Sequence, residues 1–384
     1  MTTPGSDARA PRTFNRRNVL RLAFTAVPIG VGVLAFPRLG GTAAAGTTPT
    51  INIIDAVSQS IGTTFVLGTT KPDASTTGVP AGTSLVDVTG AFTASVAGAV
   101  ITNKRFRNYV YVRAANVTFR NCEFRGPASG AFVTYGLVDC RSSAATNVLI
   151  DRCTFAATAT NMYWCNGVSV RSGASVTVNR CNISAVADGL NVSGASLTAT
   201  GNYIHDLYFF NNSVDHASDA YHPYWEHNDG IQISGGAGPY MIRGNYFSSY
   251  VQLGTNDGIH GIPAIDPATG SWNRRWGAGI TASPDSGQIT NATITQNWFE
   301  GGTASFQSSS SGEVGANFGT ISSNRFGMDQ YNYGSSSRYQ IRYKSGITIA
   351  GLGTNLFDPS CASVPSSMKD QTFTVSFTGG IRID

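Results

Sequence analysis

Eight short segments of this chain share one signature: a cysteine or asparagine followed two places later by a large apolar residue, at the end of a β-type run. They are Cys122-Glu-Phe124, Cys153-Thr-Phe155, Cys181-Asn-Ile183, Asn202-Tyr-Ile204, Asn245-Tyr-Phe247, Asn297-Trp-Phe299, Asn324-Arg-Phe326 and Asn355-Leu-Phe357. Successive spacings are 31, 28, 21, 43, 52, 27 and 31 residues. A signature returning every roughly 20–30 residues, with two longer gaps, predicts an all-β solenoid whose coils bury their apolar faces on one another. Coils stack about 4.8 Å apart, so Phe and Ile make an inner ladder while Asn side chains bridge turn backbones from coil to coil. A sandwich would instead need antiparallel hairpin turns every 8–12 residues or so. The composition agrees, with 44 glycines, only 12% charged residues and no helical stripe past residue 45.

Cys122, Cys153 and Cys181 hold the ladder position that Asn takes later. Small apolar filling is one reading of these thiols. Neighbouring coils also lie within disulfide reach, which leaves pairing open. No Cys/His spacing fits a structural zinc site, so no metal ligands are assigned.

Residues 1–45 differ from the rest. A basic start with Arg16 and Arg17, an apolar run from Val19 broken by Pro28 and Pro37, and small residues at Ala43–Ala45 read as a secretion signal of twin-arginine type. The expected organisation is this signal at 1–45, an N-terminal segment or linker at 46–74, and the solenoid at 75–384, with insertions at about 206–228 and 250–280. Six arginines and one aspartate lie in 1–45, leaving 20 basic and 21 acidic residues beyond it. A nearly neutral remainder gives no footprint for nucleic acid, and no second long apolar run offers a membrane span. A secreted monomer is expected.

The opening "TGVPAGTSL", Thr77 to Leu85, then "VITNKRF" and "YVRAANVTFRNCEF", resembles the start of secreted bacterial right-handed parallel β-helix proteins of the pectate lyase-like superfamily. The resemblance covers roughly residues 75–360 and implies the fold. It says little about reaction, since such folds carry lyases, hydrolases and inert spikes. Calcium on carboxylates, as in the pectate lyase relatives, is the one cofactor it leaves open; otherwise none is expected.

The two long gaps, 202–245 and 245–297, gather function. All five histidines, His205, His216, His222, His227 and His260, fall in a window of 56 residues. His205 and His260 read as polar turn residues. The insertion "NNSVDHASDAYHPYWEHNDGIQI" adds Asp215, Tyr224 and Trp225, and the second insertion adds Trp272 and Trp276 beside paired arginines. Imidazoles and carboxylates move protons near neutral pH, and aromatic faces stack on sugar rings. A polysaccharide substrate follows, with Asp215, His216, His222, Tyr224, Trp225, Arg243, Trp272 and Trp276 as binding residues.

The segments "NGVSV", "DGLNV" and "DGIQI" stand 10–12 residues before successive ladder positions, which predicts that Asn166, Asp188 and Asp229 stack on consecutive coils. Asx-Gly is also turn chemistry, with glycine supplying a backbone conformation that other residues avoid. Two carboxylates one coil apart would divide into acid and base, as glycosidic cleavage needs. Asp229, Asp188 and His227 are therefore the catalytic candidates, with hydrolysis favoured over elimination. The alternative is a non-catalytic β-helix that binds glycans at a surface. "GTASFQSSSSGEVGA" at 302–316 reads as a Ser-rich turn, and the C-terminus as a closing strand or cap.

Overall fold

The computed structural model describes residues 65–383, apart from 129–135, 159–164, 172, 208–227, 250–276, 286, 309–316, 331–338, 362–363, 369 and 374–379. Among these, short strands repeat in threes and pair only with their counterparts one coil away. They build three all-parallel sheets of ten, ten and nine strands. The first sheet runs from Val86–Val88 to Leu356–Phe357, the second from Phe92–Ala94 to Ile381–Ile383, and the third from Val100–Thr102 to Thr348–Ala350. Each coil passes from first to second to third sheet and returns, so the chain winds as a three-sided β-helix.

The predicted inner ladder is continuous. Phe124, Phe155, Ile183, Ile204, Phe247, Phe299, Phe326 and Phe357 pair in register along the first sheet, each no more than 1% exposed. Neighbouring rings stack, with centroids 4.8 Å apart for Phe247 and Phe299 and 5.0 Å for Phe299 and Phe326. Phe106 extends the ladder by one coil. It escapes the sequence signature because Lys104 stands two places before it.

Two places before each Phe or Ile runs a second ladder, of hydrogen bonds. Asn202 donates its backbone N–H to Oδ1 of Asn245 (3.0 Å), Asn245 to Asn297 (2.9 Å), Asn297 to Asn324 (3.0 Å) and Asn324 to Asn355 (3.0 Å). Each Nδ2 donates to a carbonyl of the coil below, such as Asn245 to Ala199 O at 2.9 Å. Cysteine does a weaker version of the same work: Cys122 N–H points at Cys153 Sγ and Cys153 N–H at Cys181 Sγ, both at 3.4 Å. The residue before the ladder takes a left-handed turn in coil after coil, as at Arg180, Gly201 and Gly244.

All six cysteines are free and buried. Burial pushes the thiols of Cys140, Cys153, Cys165 and Cys361 up, and the bond to Cys153 does the same for Cys122, with burial adding to it. Thiolate is the reactive form, so these thiols are fillers and not nucleophiles. A thiol-reactive probe such as DTNB should label none of the six in the native protein and all six after denaturation. Fast native labelling of any one would contradict this packing.

Residues 65–79, part of which falls in the expected N-terminal segment or linker, cross the coils along the outer flank of the first sheet. Phe65 and Leu67 sit over Gly201 and Gly244, where an added Cβ would come within 2.9 and 2.6 Å of them. Lys71 Nζ then reaches Glu300 Oε1 (2.8 Å) and Ser360 O (2.6 Å) and lies 3.9 Å from the centre of the Tyr246 ring. Together with Tyr246, Trp298 and Cys361, this strap closes a small second core outside the first sheet. Two other expectations about loops change. Ala304–Ser308, inside the expected Ser-rich turn, is a strand of the second sheet, because Phe306 is drawn into the core. His205 belongs to the strand Tyr203–His205, with Nδ1 2.6 Å from Asp206 and Nε2 2.9 Å from Asn182. At the C-terminal end, Phe373 covers Phe326 and Phe357, and Thr372 bridges antiparallel to Leu356, which makes a cap.

Candidate functional site

Both long insertions connect the first sheet to the second: one joins Tyr203–His205 to Ile231–Ile233, the next coil's joins Tyr246–Ser249 to Ala278–Ala282. They leave from and return to one corner of the helix. Asp188 and Asp229 stand at that corner.

The stacking expected from "NGVSV", "DGLNV" and "DGIQI" is present. Val168, Leu190 and Ile231 pair in register, as do Val170, Val192 and Ile233. Ahead of them, Asp188 N–H donates to Asn166 Oδ1 (3.2 Å), Asp229 N–H to Asp188 Oδ1 (3.0 Å), and Ala278 N–H to Asp229 Oδ1 (2.7 Å). The corner thus has its own Asx ladder, built on the same device as the asparagine ladder.

The glycine reading needs correction. Gly167, Gly189 and Gly230 are not among the residues with left-handed backbone. They are required by close approach. A Cβ on Gly230 would lie 2.5 Å from Gly279 O and 2.6 Å from Phe247 Cδ1, and one on Gly189 would meet Gly230 O at 2.5 Å. The inner Phe/Ile ladder fills the space where a side chain would go.

Asp229 is 2% exposed. Its Oδ1 also accepts from Thr281 Oγ1 (2.7 Å), whereas Oδ2 accepts nothing among the described residues. Burial, and then the neighbouring Asp188, hold the Asp229 carboxyl well above the usual carboxylate range. Asp188 is half-buried; beside the bond from Asp229 it accepts at Oδ2 from Asn191 Nδ2 (2.7 Å). Asn191 in turn contacts Gln232 and the Arg171 guanidinium, and Gln307 Nε2 donates to Thr281 Oγ1 at 3.0 Å. Asn191, Gln232, Thr281 and Gln307 occupy one outward row of the second sheet. Sequence reasoning passed over this row, although the alternation in "GLNV", "GIQI" and "GIT" marks it. Asn228, one residue before Asp229, is 1% exposed, and neither its Oδ1 nor its Nδ2 has a hydrogen-bond partner among the described residues.

Arg243 is not brought to this corner. It ends the third-sheet strand Tyr240–Arg243, at the third-to-first turn, and donates Nε to Gln296 Oε1 at 2.7 Å. Asp215, His216, His222, Tyr224, Trp225, His227, Trp272 and Trp276 lie outside the described residues, as does His260. Among the described residues, no cluster of three or more His, Cys, Asp or Glu side chains could hold a metal ion, and no helix is long and apolar enough to cross a membrane.

Residues 86–262 match the family described as a right handed beta helix region. With three all-parallel sheets and almost no helix, this defines the chain as an all-β, right-handed parallel β-helix. No curated protein and no solved structure matches it.

Proposed function

We propose that this protein is an exported enzyme that cleaves glycosidic bonds of a polysaccharide at the corner carrying Asp188 and Asp229. The observation that carries the reading is the pair itself. Two carboxylates sit on adjacent coils, one of them buried and pushed toward its neutral form, where both long insertions meet the scaffold. Asp229, whose carboxyl is held well above the usual carboxylate range by burial and by Asp188, is suited to give a proton to a leaving oxygen. Asp188, with both oxygens accepting N–H bonds, is suited to keep its charge.

The test is a polysaccharide panel read two ways. Hydrolysis releases reducing ends without new ultraviolet absorbance, whereas elimination makes an unsaturated uronate that absorbs. No release from any polymer would remove the enzyme reading. The Asx ladder favours a second reading, a glycan-binding β-helix in which Asp188 and Asp229 only tie coil to coil. That reading expects no turnover and no effect of neutralising the pair.

Export is proposed from Arg16 and Arg17. Replacing both with lysine should leave precursor inside the cell, as blotting of cell and medium fractions would show. Undiminished secretion of the double variant would count against a twin-arginine signal.

A further inference from the structure

The three faces of the helix differ in what covers them. The strap packs on the outer flank of the first sheet. The outward row of the second sheet is largely buried, with Ser169 at 1%, Asn191 at 6% and Thr281 at 4% exposure. The third sheet is open. Its central outward row, in register across nine strands, reads Val100, Thr118, Leu149, Thr177, Thr198, Met241, Thr293, Thr320 and Ala350. Every one of these is exposed or half-exposed. The row runs about 38 Å at the spacing of parallel strands.

Its chemistry is unusual for a solvent-facing sheet. Such surfaces ordinarily intersperse charges of both signs, and this row has none. Five of its nine residues are threonines, and none of their hydroxyls has a hydrogen-bond partner among the described residues. Charge is confined to the edge of the sheet, where Arg120 pairs with Asp151 at 2.9 Å and Arg243 reaches Gln296.

We propose that the outer face of the third sheet adsorbs to the flat surface of an insoluble, uncharged polysaccharide, as a second site apart from the Asp188–Asp229 corner. The proposal rests on the polysaccharide reading for its choice of partner and on the threonine row for its location. A second copy seated here would bury five hydroxyls against apolar and hydroxyl groups with few partners, and unpaired burial is costly. A protein partner would want aromatic or arginine anchors at the centre, which the row lacks. A lipid surface would want basic residues beside a strongly apolar face. Packed glycan chains present hydroxyls and C–H groups in a regular array. Each of the five threonines offers one hydroxyl and one methyl, on rigid β-branched side chains that lose little rotamer freedom on contact.

The experiment is co-sedimentation of the purified protein with powdered cellulose, chitin, β-1,3-glucan and mannan. It is done in an Asp229→Asn background so that turnover cannot alter the polymer. At least one of these should retain the parent protein. Thr198→Arg with Thr293→Arg should weaken that adsorption about tenfold or more, the worth of two lost hydrogen-bonding groups plus a misplaced charge. The milder Thr198→Val with Thr293→Val keeps shape and strand preference and should show a smaller loss. In the Asp229-containing protein, both double variants should cleave soluble fragments as the parent does. That separates failure of this face from failure of the catalytic reading. No adsorption to any powder, adsorption unchanged by both double variants, dimerisation in light scattering that the arginine pair abolishes, or adsorption to ice alone would overturn the proposal.

Discussion

Replacing Asp229 with asparagine should reduce turnover about 10²–10⁴-fold, the usual cost of losing one proton-transfer group, while leaving the β-helix folded. Asparagine keeps an Oδ1 to accept from Ala278 N–H and Thr281 Oγ1, so the Asx ladder survives the change. It removes only the ability to give up a proton. Stability should move the other way. A buried carboxyl whose folded-state value is raised binds its proton more tightly in the native than in the unfolded chain. Its native form is therefore penalised as pH rises from the unfolded value near 4 through the raised folded one. The asparagine variant escapes that penalty. It should melt with the parent below about pH 4 and above it at neutral pH, the gap widening with pH. Lost turnover together with gained stability is the pattern expected where a site is held in a state unfavourable to the fold. A scaffold role alone would give the stability gain with turnover intact.

The second large effect belongs to the interior. Asn245→Ala should destabilise the protein by about 3–5 kcal/mol, read from urea unfolding followed by circular dichroism. The change leaves Asn202 N–H and Ala199 O without their partners and deprives Asn202 Nδ2 of one acceptor, all in a dry interior. Each unsatisfied buried group costs about 1–3 kcal/mol. Asn245→Cys should cost roughly half as much, because Sγ can take the N–H of the coil below, as Cys153 and Cys181 do. Equal losses for Ala and Cys would show that the early cysteines contribute volume and no hydrogen bond.

Much of this was legible from residue spacing. A parallel coil repeats its register, so Cys122, Asn202 and Asn355 declared one ladder, and Phe124 to Phe357 the neighbouring one. Aligning strand ends likewise placed Asn166, Asp188 and Asp229 together. What the spacing could not carry was the reason for Gly230. An Asp-Gly pair looks the same whether glycine serves a left-handed turn or makes room for Phe247, and only the position of the ring decides. Arg243 misled for a related reason. Proximity in sequence to the insertions said nothing about which of three corners it occupies, and it closes the third sheet while Asp229 opens the second. Thr281 and Asn191 were hidden because an outward polar residue in a strand is ordinary until its partner is known. The strap was hidden because Phe65, Leu67 and Lys71 show no repeat, and their partners lie on four different coils.

The most direct test of the acid–base assignment is the pH dependence of kcat/KM for the parent enzyme on the best polysaccharide of the panel. The expected profile falls on its alkaline side as Asp229 loses its proton, at a pH well above the ordinary carboxylate value near 4. The Asp229→Asn variant should lack the alkaline limb in whatever activity remains. A parent profile that stays flat from about pH 5 to pH 9, or one that the asparagine variant reproduces in height and shape, would contradict Asp229 as the proton donor.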